Sequence, residues 1–161
     1  MSVFKTTFTR SLRAHPSDNA DIAYPNAIES GTSTSVVSSK LIDSTALFIT
    51  NNVQTGDIVH NDTSGTAATV VSVDSETQLT LNANIFTATS QAFVVYNMSA
   101  KTSMGNPGCF LYVGGTGNVS VITLGNDQIT FNGVPAGTTL PIQVVKLRST
   151  GTTATLINAL W

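Results

Sequence analysis

Residues 109–161 read CFLYVGGTGNVSVITLGNDQITFNGVPAGTTLPIQVVKLRSTGTTATLINALW, and this stretch decides the fold. It contains five apolar runs of strand length, each separated from the next by turn residues. The runs are 110–113, 119–124, 129–131, 139–148 and 153–161. Gly, Asn-Gly and Pro-Ala-Gly between short apolar runs are typical of turns in an antiparallel sheet. The stretch therefore predicts a compact antiparallel β-module.

Alternation within the runs favours strands over helices. Val119, Val121 and Thr123 share one face of their run, as residues two apart do in a strand. No part of the stretch sustains a helical repeat for three turns. The last run ends on Leu160 and Trp161 without a polar tail, so we expect it to be paired, either within the core of its own module or at a subunit contact.

A second set of strand-length runs lies between residues 35 and 98. These runs are 41–43, 46–48, 56–60, 67–74, 78–82 and 91–96. The polar segment 61–65 has the length of a hairpin loop between two of them. Even spacing of short strands predicts a small barrel or sandwich.

The remaining segments lack a strand pattern. Residues 1–34 show no period but are too apolar for a solvated linker, and residues 99–108 contain Gly-Asn-Pro-Gly. The predicted fold is therefore all-β, with two small antiparallel β-barrel or sandwich modules and an extended N-terminal arm. The predicted order is the arm (1–34), a barrel-like module (35–98), a linker (99–108) and a C-terminal antiparallel module (109–161).

Composition limits the function classes. Only 10% of the 161 residues are charged, against about 25% in an average soluble domain. A surface rich in hydroxyls and amides suits a chain that packs against copies of itself or a scaffold. The net charge of −2 argues against a nucleic-acid partner, and no run of 18 apolar residues predicts a membrane span. The single cysteine, Cys109, excludes an intrachain disulfide framework and is expected to be a small buried hydrophobe.

Candidate chemical groups are few. Asp57, His60 and Asp62 form the one local cluster of metal-ligand residue types, but residues 57 and 60 point to opposite faces of a strand, so ordinary turn polarity is expected. Asp74 and Glu76 could serve glycan hydrolysis as paired carboxylates, but they lie on a tight turn where such residues are usually just exposed. We therefore expect no catalytic, cofactor-binding or metal-binding residues.

Two further patterns are also expected to be structural. The Gly-rich segment 114–117 lies between strands without a following helix, so a loose hairpin loop is expected there rather than a phosphate cradle. Residues 1–10 are polar and lack the apolar core of a signal peptide, which predicts a protein that is not secreted by that route.

Four segments of the C-terminal module resemble one family of virion proteins. They are FLYVGGTGNV (110–119), ITFNGVPAGT (129–138), LPI (140–142) and TGTTAT (150–155) followed by ALW at the end. In order and spacing they resemble the spike-base proteins of tailed-phage-like heads, including the head spikes of gene transfer agents. The segment PSDNAD (16–21) is similar to that family's N-terminal segment. The roughly seventy residues between, with VQTGDIV (53–59) and SVDSETQLTL (72–81), look like a small β-module that recurs in phage head and tail proteins, and they depart from the short family pattern.

This resemblance implies a non-enzymatic structural role. We expect a capsid decoration or cement protein, or a vertex spike-base component, that forms a homo-oligomer and docks on the major capsid protein or other virion proteins. It would be assembled in the host cytoplasm and exposed on the particle, without nucleic acid or membrane as a partner and without a cofactor. The alternative is a receptor- or glycan-binding tail, fibre or neck subunit.

The expected contact residues lie at the two ends of the chain. They are Phe4, Phe8, Arg10, Arg13, Leu160 and Trp161. Residues 1–15 carry three cations and no acid, which suits an acidic protein surface. Because this segment shows no core pattern, we expect that its deletion would weaken docking and leave the fold intact.

Overall fold

A computed structural model describes residues 7–99 and 108–161 of the chain. These residues form twelve β-strands arranged in two six-stranded antiparallel sheets, which confirms the predicted all-β fold. The strands are β1 (Ser11–Arg13), β2 (Ala27–Thr32), β3 (Lys40–Ile42), β4 (Ile58–Asn61), β5 (Thr66–Ser75), β6 (Gln78–Leu81), β7 (Ala92–Tyr96), β8 (Cys109–Gly115), β9 (Gly117–Thr123), β10 (Gln128–Val134), β11 (Thr138–Leu147) and β12 (Thr155–Leu160). The described residues contain no helix with the length and apolarity needed to cross a membrane.

The C-terminal sheet has the strand order β1-β12-β8-β11-β9-β10. All five runs predicted for residues 109–161 contain a strand, and Val119, Val121 and Thr123, predicted to share one face, are all buried. Ser120, on the opposite face, is also buried, at 1% exposure. Residues such as Leu111, with Leu140 opposite it across the sheet, form one continuous core. Alternation was sufficient to place these side chains because the period of a strand is two.

The Gly-rich segment 114–117 is not a loose loop. Gly114 and Gly115 end β8 and Gly117 begins β9, so only Thr116 separates the two strands. A Cβ atom at position 117 would lie 2.6 Å from the Cα atom of Ala154. Glycine is required here because the backbone before β12 crosses this point too closely for a side chain.

The second sheet has the strand order β2-β7-β4-β5-β6-β3. The predicted hairpin is present, with β4 and β5 paired from Ile58↔Thr69 to Asn61↔Thr66. The run 46–48 is not a strand. Phe48 instead enters the core from a turn, where it is fully buried with its ring 5.9 Å from that of Phe93.

The predicted N-terminal arm is divided between both sheets. Its residues 11–13 form β1, which pairs with β12, and its residues 27–32 form β2, which pairs with β7. Ala14 is 3% exposed and belongs to the C-terminal core. The second sheet therefore begins at Ala27, ahead of the predicted boundary at 34/35. These two strands could not be predicted from the sequence, because strands this short, joined by irregular backbone, show no recognisable alternation.

Candidate functional site

The segment between β1 and β2 lies between the two sheets and contacts both. The backbone N–H of Ser17 donates to the carbonyl of Leu147 in the C-terminal sheet at 2.8 Å. The Ser17 hydroxyl donates to the carbonyl of Ala67 in the second sheet, also at 2.8 Å. Ala20 and Ala23 pack with Ile58 in a small buried cluster. The segment is thus a structural connection between the modules.

A groove of about 670 Å³ lies along this connection. One wall comes from residues 12–16, and a second from β4, the β4–β5 turn and Tyr96. The third wall is residues 154–157, at the start of β12. The groove therefore receives side chains from three parts of the chain that are distant in sequence.

Three metal-ligand side chains meet in the groove. They are His15, His60 and Asp62, and each offers one ligand atom within 4.8 Å of the other two. The Nε2–H of His15 donates to the Oδ1 atom of Asp62 at 2.9 Å. The two imidazole rings lie edge to face with their centroids 4.4 Å apart.

His60 is the buried member of this group. It is 2% exposed, it packs against Tyr96 with ring centroids 4.8 Å apart, and it lines the groove. Burial, together with the neighbouring His15, lowers the pKa of His60 to about 3. The imidazole is therefore neutral at physiological pH, with an unprotonated ring nitrogen.

The structure regroups the cluster suggested by local sequence. It keeps His60 and Asp62 together but separates Asp57, whose carboxylate accepts the backbone N–H groups of Gln54 and Met98 at 2.8 and 2.9 Å. Burial raises the pKa of Asp57. The sequence pattern missed His15, which comes from a segment 45 residues earlier with no local signal for this contact.

The paired carboxylates Asp74 and Glu76 are engaged in structural hydrogen bonds. Asp74 accepts from Lys40 at 2.7 Å and from Gln78 at 2.8 Å. Glu76 accepts the backbone N–H groups of Ile49 and Thr50 and thereby holds a turn. Hydrogen bonds to the charged form lower the pKa of both groups, led by Gln78 for Asp74 and by Thr50 for Glu76. A glycosidase acid needs the opposite shift.

The expected contact residues in the arm have different surroundings. Phe4 lies outside the described residues. Phe8 is half-buried and packs on Phe110 with ring centroids 5.5 Å apart. Arg10 is exposed, with its guanidinium carbon 5.4 Å from the centre of the Tyr24 ring, and it donates to the carbonyl of Pro25 at 3.2 Å.

Arg13 and the C-terminal pair complete the predicted set. Arg13 is exposed at the end of β1, and Leu160 is half-buried in β12, which lies between β1 and β8. Trp161 packs edge to face on Tyr24 with ring centroids 5.6 Å apart. Its backbone N–H donates to Arg10, and its carbonyl accepts from the backbone N–H of Arg10. The C-terminus is thus held within the chain's own sheet.

The four sheet edges differ in charge. The edge strands β1, β2 and β3 carry Arg13, Glu29 and Lys40, respectively. Among the edge strands in the described ranges, β10 alone has no charged residue, no proline and a length of seven residues. Its side chains are mostly exposed, including Ile129 at 43%. Sequence reasoning missed this edge because strand order cannot be read from alternation.

Comparisons of the chain with protein-family models, with curated proteins and with solved structures found no match.

Proposed function

We propose that this chain is a non-enzymatic virion structural protein, a capsid decoration or vertex spike-base component that self-associates and docks on the major capsid protein. Self-association is assigned to β10, and docking to the exposed apolar side chains of the second module. The particle is the setting that the resemblance of residues 109–161 implies.

The uncharged edge strand β10 is the observation that carries this proposal. An edge strand presents unpaired N–H and C=O groups, and monomeric proteins protect such edges with charge, proline, short length or a covering segment. The other edges carry a charge, and two of them are only three residues long. The uncharged residues 128–131 of β10 are regularly paired and precede a bulge between Phe131 and Val134, and this regular part suits addition of a strand from another chain.

The arrangement of the resembling segments is a second support. Segments 110–119, 129–138 and 150–155 all belong to, or border, the C-terminal sheet. The segment 16–21, which resembles the family's N-terminal segment, packs against the same sheet through the Asp18 carboxylate and the Ser149 hydroxyl, 2.7 Å apart. Segments distant in sequence thus meet in one module, as expected for parts of one folding unit.

Docking requires apolar area, and the second module offers it. Five large apolar side chains of this module are between 46% and 58% exposed. They are Val36, Val37, Leu47, Ile49 and Val71. Glu29 and Glu76 lie beside two of them, since they accept the backbone N–H groups of Leu47 and Ile49. Exposed apolar side chains with a polar rim favour burial against a neighbouring protein.

The alternative of a glycan-binding tail or fibre subunit predicts exposed aromatic side chains clustered on a loop face. Over residues 7–99 and 108–161, Tyr112 is the one aromatic residue among the large apolar residues that are more than a third exposed, and it lies in β8. No observation on the described surface therefore favours a glycan site over an assembly surface.

The proposal is tested by a charge placed on the β10 edge. We expect the wild-type chain to form an oligomer in sedimentation velocity, and Ile129→Lys to shift it toward the monomer because a lysine on an edge strand opposes pairing. The matched control is Val71→Lys, since Val71 is 50% exposed but lies on β5, an internal strand of the other sheet.

Three results would contradict self-association through β10. These are a wild-type chain that stays monomeric at every concentration tested, an Ile129→Lys variant with an unchanged oligomer, and equal disruption by both lysines. Circular dichroism of each variant confirms that the fold is retained.

A further inference from the structure

We propose that His15, His60 and Asp62 form a binding site for a first-row transition-metal dication, with Zn²⁺ as the best-fitting ion. The bound ion would fasten the N-terminal segment to the second sheet. The proposal is independent of the role of β10 and of any virion setting.

The three ligand atoms are near the spacing of a zinc site. In a tetrahedral site with bonds of about 2.0–2.1 Å, ligand atoms are roughly 3.3 Å apart. The three ligand atoms here are no more than 4.8 Å apart, and the Nε2 of His15 is 2.9 Å from the Oδ1 of Asp62. The side chain of Asp62 is 45% accessible and can turn toward an ion bound in the groove.

His60 presents its buried ring to the groove. This side chain is 2% exposed, lines the groove and has its ring centroid 4.4 Å from that of His15. A neutral imidazole is a common ligand of zinc.

The donor set selects the type of metal. Two imidazoles and one carboxylate suit zinc and its first-row neighbours, whereas magnesium and calcium take mainly oxygen ligands. Three protein ligands leave a fourth position, which faces the groove and would be filled by water. The Asp62 carboxylate offsets one of the two positive charges of the ion.

The position of the site predicts what the ion does. His15 follows β1 of the C-terminal sheet, whereas His60 and Asp62 lie in β4 and the turn after it, in the second sheet. A metal bond between residues 15 and 60 closes a long loop of chain and is present only in the folded state. Binding to the folded state alone raises stability with metal concentration.

The experiment uses the full chain without an affinity tag, stripped of metal with a chelator and then dialysed. Titration with ZnSO₄ in a calorimeter should give one saturable site per chain, and the melting temperature should rise with zinc concentration. Because ligand loss costs more than loss of a supporting hydrogen bond, His15→Gln and Asp62→Asn should each weaken binding by at least about tenfold. Both residues border the groove, so these variants are expected to fold.

Asp127→Asn is the matched control, because it removes one carboxylate from the turn before β10, outside the groove. Its zinc affinity should equal that of the wild type. Cobalt added in place of zinc should give a visible absorption band that both ligand variants lose. Absence of saturable binding in the wild type, or binding that persists in both ligand variants, would overturn the site. Binding without a rise in melting temperature would overturn its stabilising role.

Discussion

The Oδ2 atom of Asp18 accepts a hydrogen bond from the Oγ of Ser149 at 2.7 Å, across 131 residues of sequence. The same carboxylate accepts the Thr150 hydroxyl at 2.6 Å and the Thr150 backbone N–H at 3.2 Å, and the Nε of Arg148 lies 3.4 Å away. One side chain of the N-terminal segment thereby fixes the turn between β11 and β12.

Replacement of Asp18 tests this connection. The hydroxyls of Thr150 and Ser149 are the main cause of the lowered pKa of Asp18. At pH 7, Asp18→Asn should cost about 1 kcal/mol of unfolding free energy, since hydrogen bonds to an exposed charge are screened by water. Urea unfolding measures this, with Asp21→Asn as the control, because Asp21 lies 3.7 Å from Lys146 and is half exposed.

The lowered pKa of Asp18 also predicts how the stability difference between wild type and Asp18→Asn depends on pH. A carboxyl whose folded-state pKa is depressed contributes stability above its unfolded pKa of about 3.9 and loses that contribution as pH falls through the folded value. The stability difference between wild type and Asp18→Asn should therefore be full at pH 6 and shrink below pH 4. A difference that is constant down to pH 2 would contradict this account of Asp18.

The N-terminal segment provides a second prediction, and it corrects the sequence-based expectation that residues 1–15 are dispensable for folding. Deletion of residues 1–15 removes β1, buried Ala14 and the His15 contact with Asp62. We expect a loss of roughly 3 kcal/mol, comparable to that of a large core truncation. Deletion of residues 1–10 spares β1 and should cost clearly less in the same denaturant experiment. Equal stability of the two deletions would show that β1 is not needed.

A Cβ atom at Gly117 should disrupt the β8–β9 turn. Gly117→Ala places a methyl group against the backbone of Ala154, which cannot move without displacing β12. Forcing a group into a packed site costs about 1–3 kcal/mol or more. Gly125→Ala is the control, because its added Cβ would meet two side-chain oxygens and no backbone atom, namely the Asp127 carboxylate at 3.3 Å and the Thr123 hydroxyl at 3.7 Å. Thermal unfolding should separate the two variants by several degrees.

Two substitutions at Trp161 distinguish the contribution of ring packing to stability from that of the unpaired indole N–H. Its Nε1 is the one buried side-chain nitrogen or oxygen that lacks a hydrogen-bond partner among the described residues. Trp161→Phe removes this unpaired donor while it keeps a ring against Tyr24, so we expect a change within about 1 kcal/mol. Trp161→Ala loses the ring contact and should cost about 2–3 kcal/mol, less than for a fully buried tryptophan. Equal losses in both variants would mean that the indole makes a bond not seen here.

Features of the fold that depend on neighbouring residues were predicted from the sequence, whereas features that depend on contacts between distant residues were not. Alternation correctly grouped Val119, Val121 and Thr123 on one face, which is buried, because the side-chain period of two is a local property. The run 46–48 was wrongly assigned to a strand. A short apolar run can also belong to a turn that places one aromatic ring, here that of Phe48, in the core. The pairing of β1 with β12 joins the two ends of the chain, and no local pattern specifies it.

The candidate sites were less predictable for the same reason. Residues 60 and 62 are close in sequence and were considered together, but His15 reaches them only through the path of the segment between the sheets. Asp57 was grouped with them by proximity, yet its carboxylate turns to two backbone N–H groups instead. The exposure of β10 depends on the order of strands in the sheet, which follows from long-range packing.

The most direct test of the proposed virion role is a cryo-electron microscopy map of particles purified from cells that produce this chain. If the role is right, the map will show density for two small all-β modules on the outer face of the capsid, with β10 of one copy paired to a neighbouring chain. Particles without this density, or isolated copies in which β10 faces solvent, would contradict it.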